Sequence, residues 1–306
     1  NMSPKDLESK ITDKSRVLII QHTFGNPADM ERLMEIAKRH NLFVIEDCAH
    51  TFESTYHNQN IGTFGDAAFF SFGRDKVFSS VFGGLVCVRD EVTAQRVRTY
   101  HETCEHPSKI WIMQQLLHPP ILWLSKLFYS RLHIGKIIIE AAKRLRLISL
   151  AVTKEEHTAQ KPSFIGHKYP NGLAILMLLQ LKKSRRYTDQ RKRLSNIYKA
   201  FCDSHLIDYQ RSLPDATTVY LRFSLLDKRR DEILKKAKGK GIYLGNWYDQ
   251  AIAPGYCVQD CFGYKEDSCP EAECASQKTF NLPTHIQIKE EDEKRLIDLL
   301  IHWYED

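Results

Sequence analysis

Three side chains in the N-terminal part of the chain carry groups that complement one another chemically. Lys76 follows Ser71 by five positions in Phe70-Ser71-Phe72-Gly73-Arg74-Asp75-Lys76, and Asp47 lies upstream in Val44-Ile45-Glu46-Asp47-Cys48-Ala49-His50. A lysine amine can hold an aldehyde as a Schiff base, and a carboxylate beside a pyridine nitrogen keeps that ring protonated as an electron sink. A hydroxyl near the lysine can hydrogen-bond a phosphate. These are the demands of pyridoxal 5'-phosphate (PLP). Lys76 therefore reads as the Schiff-base lysine and catalytic residue, Asp47 as the partner of the ring nitrogen, and Ser71 as a phosphate contact. Each has a plainer alternative: a solvated turn lysine, a helix cap and a strand-end serine. Glu46, next to Asp47, points to the opposite face of any strand that holds them both.

The elements around these residues are those of an α/β protein. Arg16-Val17-Leu18-Ile19-Ile20-Gln21-His22 is apolar and β-branched, as a buried strand is. Asn26-Pro27 reads as a cap and proline at a helix start, and Met30, Leu33, Met34, Ile36 and Ala37 follow at helical spacing. Leu42–Glu46 is the next strand, so the strand–helix–strand order implies parallel pairing. Ala67–Phe72 and Leu85–Val88 supply two more strands. Ligands of open α/β sheets gather at the carboxyl ends of the strands, where Asp47, His50, Ser71 and Lys76 all fall. From Ile175 to Asp203, Met177, Leu178, Leu181, Tyr187, Leu194, Ile197 and Phe201 are spaced for one largely buried helical face. Val219–Phe223 and Gly239–Tyr243 suggest strands and helices of a smaller C-terminal domain, which Glu290–Tyr304 closes as an amphipathic helix.

Taken together, these segments resemble the DegT/DnrJ/StrS family of sugar aminotransferases, of the aspartate-aminotransferase fold type. The resemblance runs through Gln21-His22-Thr23-Phe24-Gly25-Asn26-Pro27-Ala28-Asp29, Glu46-Asp47-Cys48-Ala49-His50 and Ile61-Gly62-Thr63-Phe64-Gly65-Asp66. It continues in Ser71-Phe72 with Lys76, Gly83-Gly84, Pro170-Asn171-Gly172 with Gln180-Leu181, Cys269-Pro270-Glu271 and Leu282-Pro283-Thr284-His285. It covers nearly the whole chain outside roughly residues 105–160. The resemblance implies a fold-type-I PLP transferase: part of a large domain with a mostly parallel sheet over 1–104, an apolar and basic helical insertion over 105–165, and a connecting helix with a small α+β domain over 166–306. It implies an amino group passed from an amino-acid donor such as glutamate, through PLP, to a nucleotide-linked keto sugar, in a homodimer. A related dehydratase branch has histidine in place of the lysine, and Lys76 argues against that branch.

The resemblance also suggests further site residues. His50 stands where the family often has glutamine or histidine near the cofactor ring or its O3′ oxygen. Lys168 replaces an asparagine that, in the family, reaches the cofactor phosphate of the partner subunit; Lys168 or Asn171 could take that role as phosphate ligands. Tyr248 is a candidate for the substrate entrance, with a surface-loop aromatic left open, and His285 reads as structural. Family members carry a further N-terminal region with a Gly-Thr or Gly-Ser turn for the phosphate and an aromatic residue over the pyridine. Asn1–Glu8 already resembles the middle of the large domain, so the chain is expected to be a fragment with an incomplete phosphate grip. The rival reading is a truncated, non-catalytic homologue acting as a scaffold or interaction protein.

Composition excludes other classes. At 306 residues and 42% hydrophobic, the chain can bury a sizeable core. Its net charge of +6 is concentrated in residues 101–168, where ten Lys and Arg face five Asp and Glu. No aromatic-interleaved basic motif accompanies that excess, so nucleic acid is not an expected partner. The eight cysteines suggest a reducing cytoplasm. Cys257, Cys261, Cys269 and Cys274 include no Cys-x-x-Cys pair, so no metal site is expected. No Gly-x-Gly-x-x-Gly follows an early strand, which argues against a nicotinamide dehydrogenase. Residues 110–150 are strongly apolar but interrupted by Pro119-Pro120, Lys126 and Arg131, too often for a spanning helix. With Lys136, Lys143, Arg144 and Arg146 they read either as an insertion packed on the protein or as a peripheral membrane contact.

Overall fold

The computed structural model describes residues 1–128, 134–150, 153–158, 160–253 and 263–305. Arg131, Cys257 and Cys261 lie outside the described residues. The chain opens with α1 (Pro4–Lys10), followed by β1 (Val17–Gln21), α2 (Met30–Arg39) and β2 (Phe43–Asp47). β3 (Thr55–Tyr56), β4 (Gln59–Asn60), β5 (Ala67–Ser71) and β6 (Gly84–Val88) come next. The described strands of the main sheet run in the order β1-β2-β5-β6, with β1, β2 and β5 parallel and β6 antiparallel. Leu18 and Ile20 of β1 and Val44 of β2 turn inward onto Met30, Leu33 and Ala37 of α2, one face of the expected helix. Gln21 pairs with Asp47 across the β1–β2 register, which fixes the height at which Asp47 leaves the sheet.

The start of α2 corrects the expected cap. Asp29, not Asn26, caps the helix by accepting from the Arg32 N–H. Asn26 is buried instead, donating to the Arg211 carbonyl and accepting from the Thr218 hydroxyl. Its amide serves contacts made by residues almost two hundred positions away, which no local pattern signals.

α3 (Glu91–Thr103) leads into α4 (Lys109–Leu127), α5 (Ile134–Arg144) and α6 (Lys154–His157). α4 runs through Pro119 and Pro120, the residues that interrupt the apolar stretch in the sequence. A proline removes its own N–H bond to the preceding turn, yet its fixed φ remains helical. Packing of α4 on α5 and on α7 (Asn171–Leu181) offsets that loss. Arg74 ties the insertion down, donating to the Ser149 carbonyl at 2.9 Å and to Gln115 Oε1 at 3.2 Å. These contacts fit an insertion packed on the protein. No helix among the described residues is long and apolar enough to cross a membrane.

α8 (Ser184–Ser204) follows α7 after a break at Lys182-Lys183, so the expected single buried face is divided. Met177, Leu194 and Phe201 are buried, whereas Leu178 is exposed with its neighbours Ile175 and Leu179. β7 (Ala216–Thr217), β8 (Arg222–Leu226), α9 (Arg230–Gly239), α10 (Pro270–Lys278), β9 (Thr279–Pro283) and α11 (Glu290–Tyr304) complete the chain. β8 and β9 pair antiparallel, and their residues Phe223, Leu225, Phe280 and Leu282 pack with Tyr198, Ile233, Leu296 and Leu300. This core is distinct from the one under the parallel strands.

Candidate active site

β2 and β5 end side by side and deliver the chemistry. Asp47 closes β2. Its Oδ1 accepts from the Ala49 N–H at 2.9 Å, and its Oδ2 lies 3.3 Å from Gln21 Nε2. Glu46 points the other way, as the alternation requires. It is fully buried, and its carboxylate accepts from the N–H groups of Gly62, Phe64 and Gly65 at 2.7–2.8 Å. Two adjacent carboxylates thus serve different faces: one holds a turn, the other faces the site.

Ser71 closes β5. The chain then turns through Gly73, with the Lys76 N–H bonded to the Gly73 carbonyl, and Phe72, Val77 and Phe78 are buried against Met177 and Leu221. Those apolar anchors on both sides fix the turn that carries Lys76. A Cβ added to Gly73 would lie 3.5 Å from Ser71 Oγ and 3.9 Å from Lys76 Cε, so the hydroxyl and the lysine flank the same small space. Burial pulls the Lys76 amine below its ordinary pKa; the charges of Asp47 and Asp75 oppose that shift, and Arg222 adds to it. The net effect favours a neutral, nucleophilic amine.

His50 is buried beneath this group. Its Nδ1 accepts from the Phe24 N–H at 3.3 Å, and its Nε2 lies 3.2 Å from the Tyr248 hydroxyl. Burial, then the cations Lys76 and Arg222, push its pKa down to about 3. The ring is therefore neutral, with its hydrogen on Nε2 directed at Tyr248. The rings of Phe24, His50 and Tyr248 stack, with centroids 5.4–6.1 Å apart. Burial raises the Tyr248 phenol to about 12 against the lowering pull of Arg222, so it stays protonated.

The structure therefore brings Asp47, His50, Ser71, Lys76 and Tyr248 together. It does not bring Lys168 or Asn171 to them within one chain. The Lys168 ammonium donates to the Glu102 carbonyl at 3.0 Å and lines a separate cavity with Gly83, Trp111 and Tyr169, and Asn171 begins α7. Sequence reasoning missed Arg222, Arg191 and Phe24, and it took His285 as structural although His285 lines the cleft of Lys76. The one available signal was a charge inside the apolar run Val219–Phe223.

His22, Glu46 and Cys48 also converge in the interior, with candidate ligand atoms within 4.8 Å of one another. His22 Nδ1 accepts from the Ala28 N–H, and Glu46 is occupied by three backbone donors, so the donor set already serves the chain.

This sheet, with an aspartate at the end of β2 and a lysine in the turn after β5, belongs to an aspartate-aminotransferase-like fold. Among solved structures, the chain superposes on DesV of S. venezuelae with a TM-score of 0.73 at 22% identity, covering 100% of this chain and 69% of that one. The PMP form of Spr1654 of Streptococcus pneumoniae matches with a TM-score of 0.72 at 18% identity, over 99% of this chain and 73% of that one. A model of the DegT/DnrJ/EryC1/StrS aminotransferase family matches residues 1–112 and 136–301, and the chain belongs to that family. GDP-perosamine synthase of Escherichia coli O157:H7 is 29% identical over 76% of this chain, and the chain spans 50% of that relative's length. A UDP-N-acetyl-3-dehydro-alpha-D-glucosamine 3-aminotransferase of Acidithiobacillus ferrooxidans is 26% identical over 98% of this chain and 67% of its own.

Proposed function

We propose that this chain carries the lysine-bearing part of a PLP-dependent aminotransferase that aminates a nucleotide-linked keto sugar, with an amino acid as donor. The observation that carries this reading is the convergence of Lys76, Asp47 and His50 at the ends of β2 and β5. The donor set fits PLP: a half-buried amine, a carboxylate at the sheet end, and a hydroxyl beside a glycine. When bound, PLP supplies an aldehyde and an electron-accepting ring. Asp47 would hold the ring nitrogen protonated, Ser71 would contact the phosphate, and His50, neutral and fixed by Phe24 and Tyr248, would lie against the ring or its oxygen. The Lys76 amine, its pKa lowered by burial, would take and return a proton at Nζ.

The names of the relatives support a sugar substrate, since two of them are a GDP-perosamine synthase and a UDP-sugar aminotransferase. The exposed apolar residues Ile175, Leu178 and Leu179 of α7 support a homodimer, where a second copy would cover them. Lys168 or Asn171 would then act across that interface. The core under β1 and β2 and the core around β8 and β9 support separating 1–104 from 166–306, with the segment 105–165 packed through Arg74. The test is borohydride trapping of the chain with PLP, followed by peptide mapping. The label is expected on Lys76 and lost in Lys76→Ala; label on other lysines, unchanged by the substitution, would overturn the assignment.

A further inference from the structure

α4 presents its sides in reverse for a helix bathed in water. Its two buried residues are polar. Gln115 Oε1 accepts from Arg74 and Ser149, and Ser125 donates to the Leu122 carbonyl, so both are satisfied inside. The exposed side instead carries Ile110, Met113, Leu124 and Leu127, whose spacing of three, eleven and three places them on one helical face. Ile110 is 76% exposed and the adjoining Trp123 62%. α5, packed against α4, buries Gly135 and Ala142 and turns Ile137 outward at 63% exposure. Trp111 is not part of this surface, because it stacks on Phe164 and meets Phe82 edge-on.

The same stretch holds the charge. Residues 109–150 carry seven Lys and Arg against one acid, Glu140, so the chain's net charge of +6 resides there and the remainder is balanced. Lys109, Lys143 and Arg144 are exposed on the two helices, and Glu140 lies 3.5 Å from Arg144 alone. A second copy of these helices would set like charge against like charge, which opposes their association. A nucleic acid would meet aliphatic side chains where it needs stacking aromatics. An anionic bilayer surface suits both features: the apolar side chains enter the acyl boundary, the cations stay among the headgroups, and a tryptophan sits between. No described helix can cross a bilayer, so the contact lies in the plane of its surface. We propose that α4 and α5 form a docking face for an anionic lipid bilayer, with Ile110, Trp123, Leu124, Leu127 and Ile137 inserted and Lys109, Lys143 and Arg144 at the headgroups. The family model leaves 113–135 unmatched, which includes most of α4, so this face is an addition to the family's fold.

Flotation of the full chain with two kinds of vesicle tests this without turnover: phosphatidylglycerol mixed with phosphatidylcholine, and phosphatidylcholine alone. The chain is expected to float with the mixed vesicles only, and less as salt is added. Each cation near an anionic surface strengthens binding about fivefold, so Lys109→Gln, Lys143→Gln and Arg144→Gln together should weaken it ~100-fold. Leu124→Gln with Leu127→Gln should weaken it about tenfold or more by removing apolar burial. All five positions are exposed, so both variants are expected to keep the wild-type melting temperature. Mixed vesicles should also shift the tryptophan emission to the blue, and Trp123→Phe should abolish the shift. Lys76 lies outside this face, so the result is independent of the PLP assignment. Equal binding to the neutral vesicles, no binding to either, or unchanged binding by both variants overturns the proposal. A chain that ignores vesicles but forms a dimer dissolved by the leucine variant overturns it too and gives the apolar face to a second copy.

Discussion

Replacing Glu46 should unfold the turn beneath the site, and the size of the effect follows from its contacts. Its carboxylate accepts from three N–H groups at 2.7–2.8 Å, the buried one of Gly65 and the partly buried ones of Gly62 and Phe64. His22 Nε2 lies 3.3 Å from Oε2, with both side chains fully buried. A hydrogen bond to a charged group is worth about 1.5–3 kcal/mol net, and an orphaned buried donor costs about 1–3 kcal/mol. Glu46→Ala orphans all three donors and is expected to cost about 5 kcal/mol or more, comparable to the whole stability of a typical domain. Glu46→Gln keeps one oxygen for Phe64 and Gly65 but turns an NH₂ toward the Gly62 N–H, for a cost of about 2–4 kcal/mol. Urea unfolding at neutral pH measures both. The pH dependence has a definite sign. His22 and the backbone donors outweigh burial and hold the carboxyl below its ordinary 4.5. The contribution is therefore complete above about pH 4.5 and is lost as pH falls through the lower folded value. A Glu46→Gln chain within about 0.5 kcal/mol of wild type at neutral pH would refute the reasoning.

Asp47→Asn should lower turnover ~30- to 1,000-fold, about 2–4 kcal/mol in the transition state, with little change in melting temperature; unchanged turnover in the intact enzyme removes Asp47 from the site. Gly25→Ala should destabilise the chain by ~2 kcal/mol or more, because φ is +87° and the new Cβ would come 2.2 Å from the Val219 carbonyl oxygen; thermal melting reads this, and an unchanged midpoint refutes it. Tyr248→Phe should free His50 Nε2 and shift the histidine's NMR chemical shifts while the chain stays folded, since ring stacking is kept; an unperturbed His50 signal would mean the contact is absent in solution.

The parallel strands, α2 and the strand-end residues were legible because each rests on local information. Period-two burial in β1 and β2, helical spacing in α2 and turn chemistry around Gly73 are all written within a few residues. The insertion was less legible. Pro119-Pro120 reads as a break by local rules, and only packing against α5 and α7, remote in sequence, keeps α4 continuous. Arg191 and Arg222 escaped notice for a related reason. A charge within an apolar pattern is ordinarily an exposed edge, and its role depends on which carbonyls and rings fold over it.

β2 shows why the site was easier to read than its surroundings. Alternation along the strand sends Val44 and Glu46 into the interior and Asp47 toward the site. The sequence therefore separates the two acidic residues by face before any fold is known. What it cannot encode locally is the partner of each. Glu46 takes backbone donors from a turn 16–19 positions ahead, and Asp47 acts on a lysine almost thirty positions on. Burial lowers the Lys76 amine while Asp47 restrains that shift, so Asp47→Asn should move the lysine further toward its neutral form. The pH dependence of borohydride-trapped PLP on Lys76 reads this directly. The trapping midpoint should fall in Asp47→Asn, and a midpoint that does not fall would mean the two groups do not share the site.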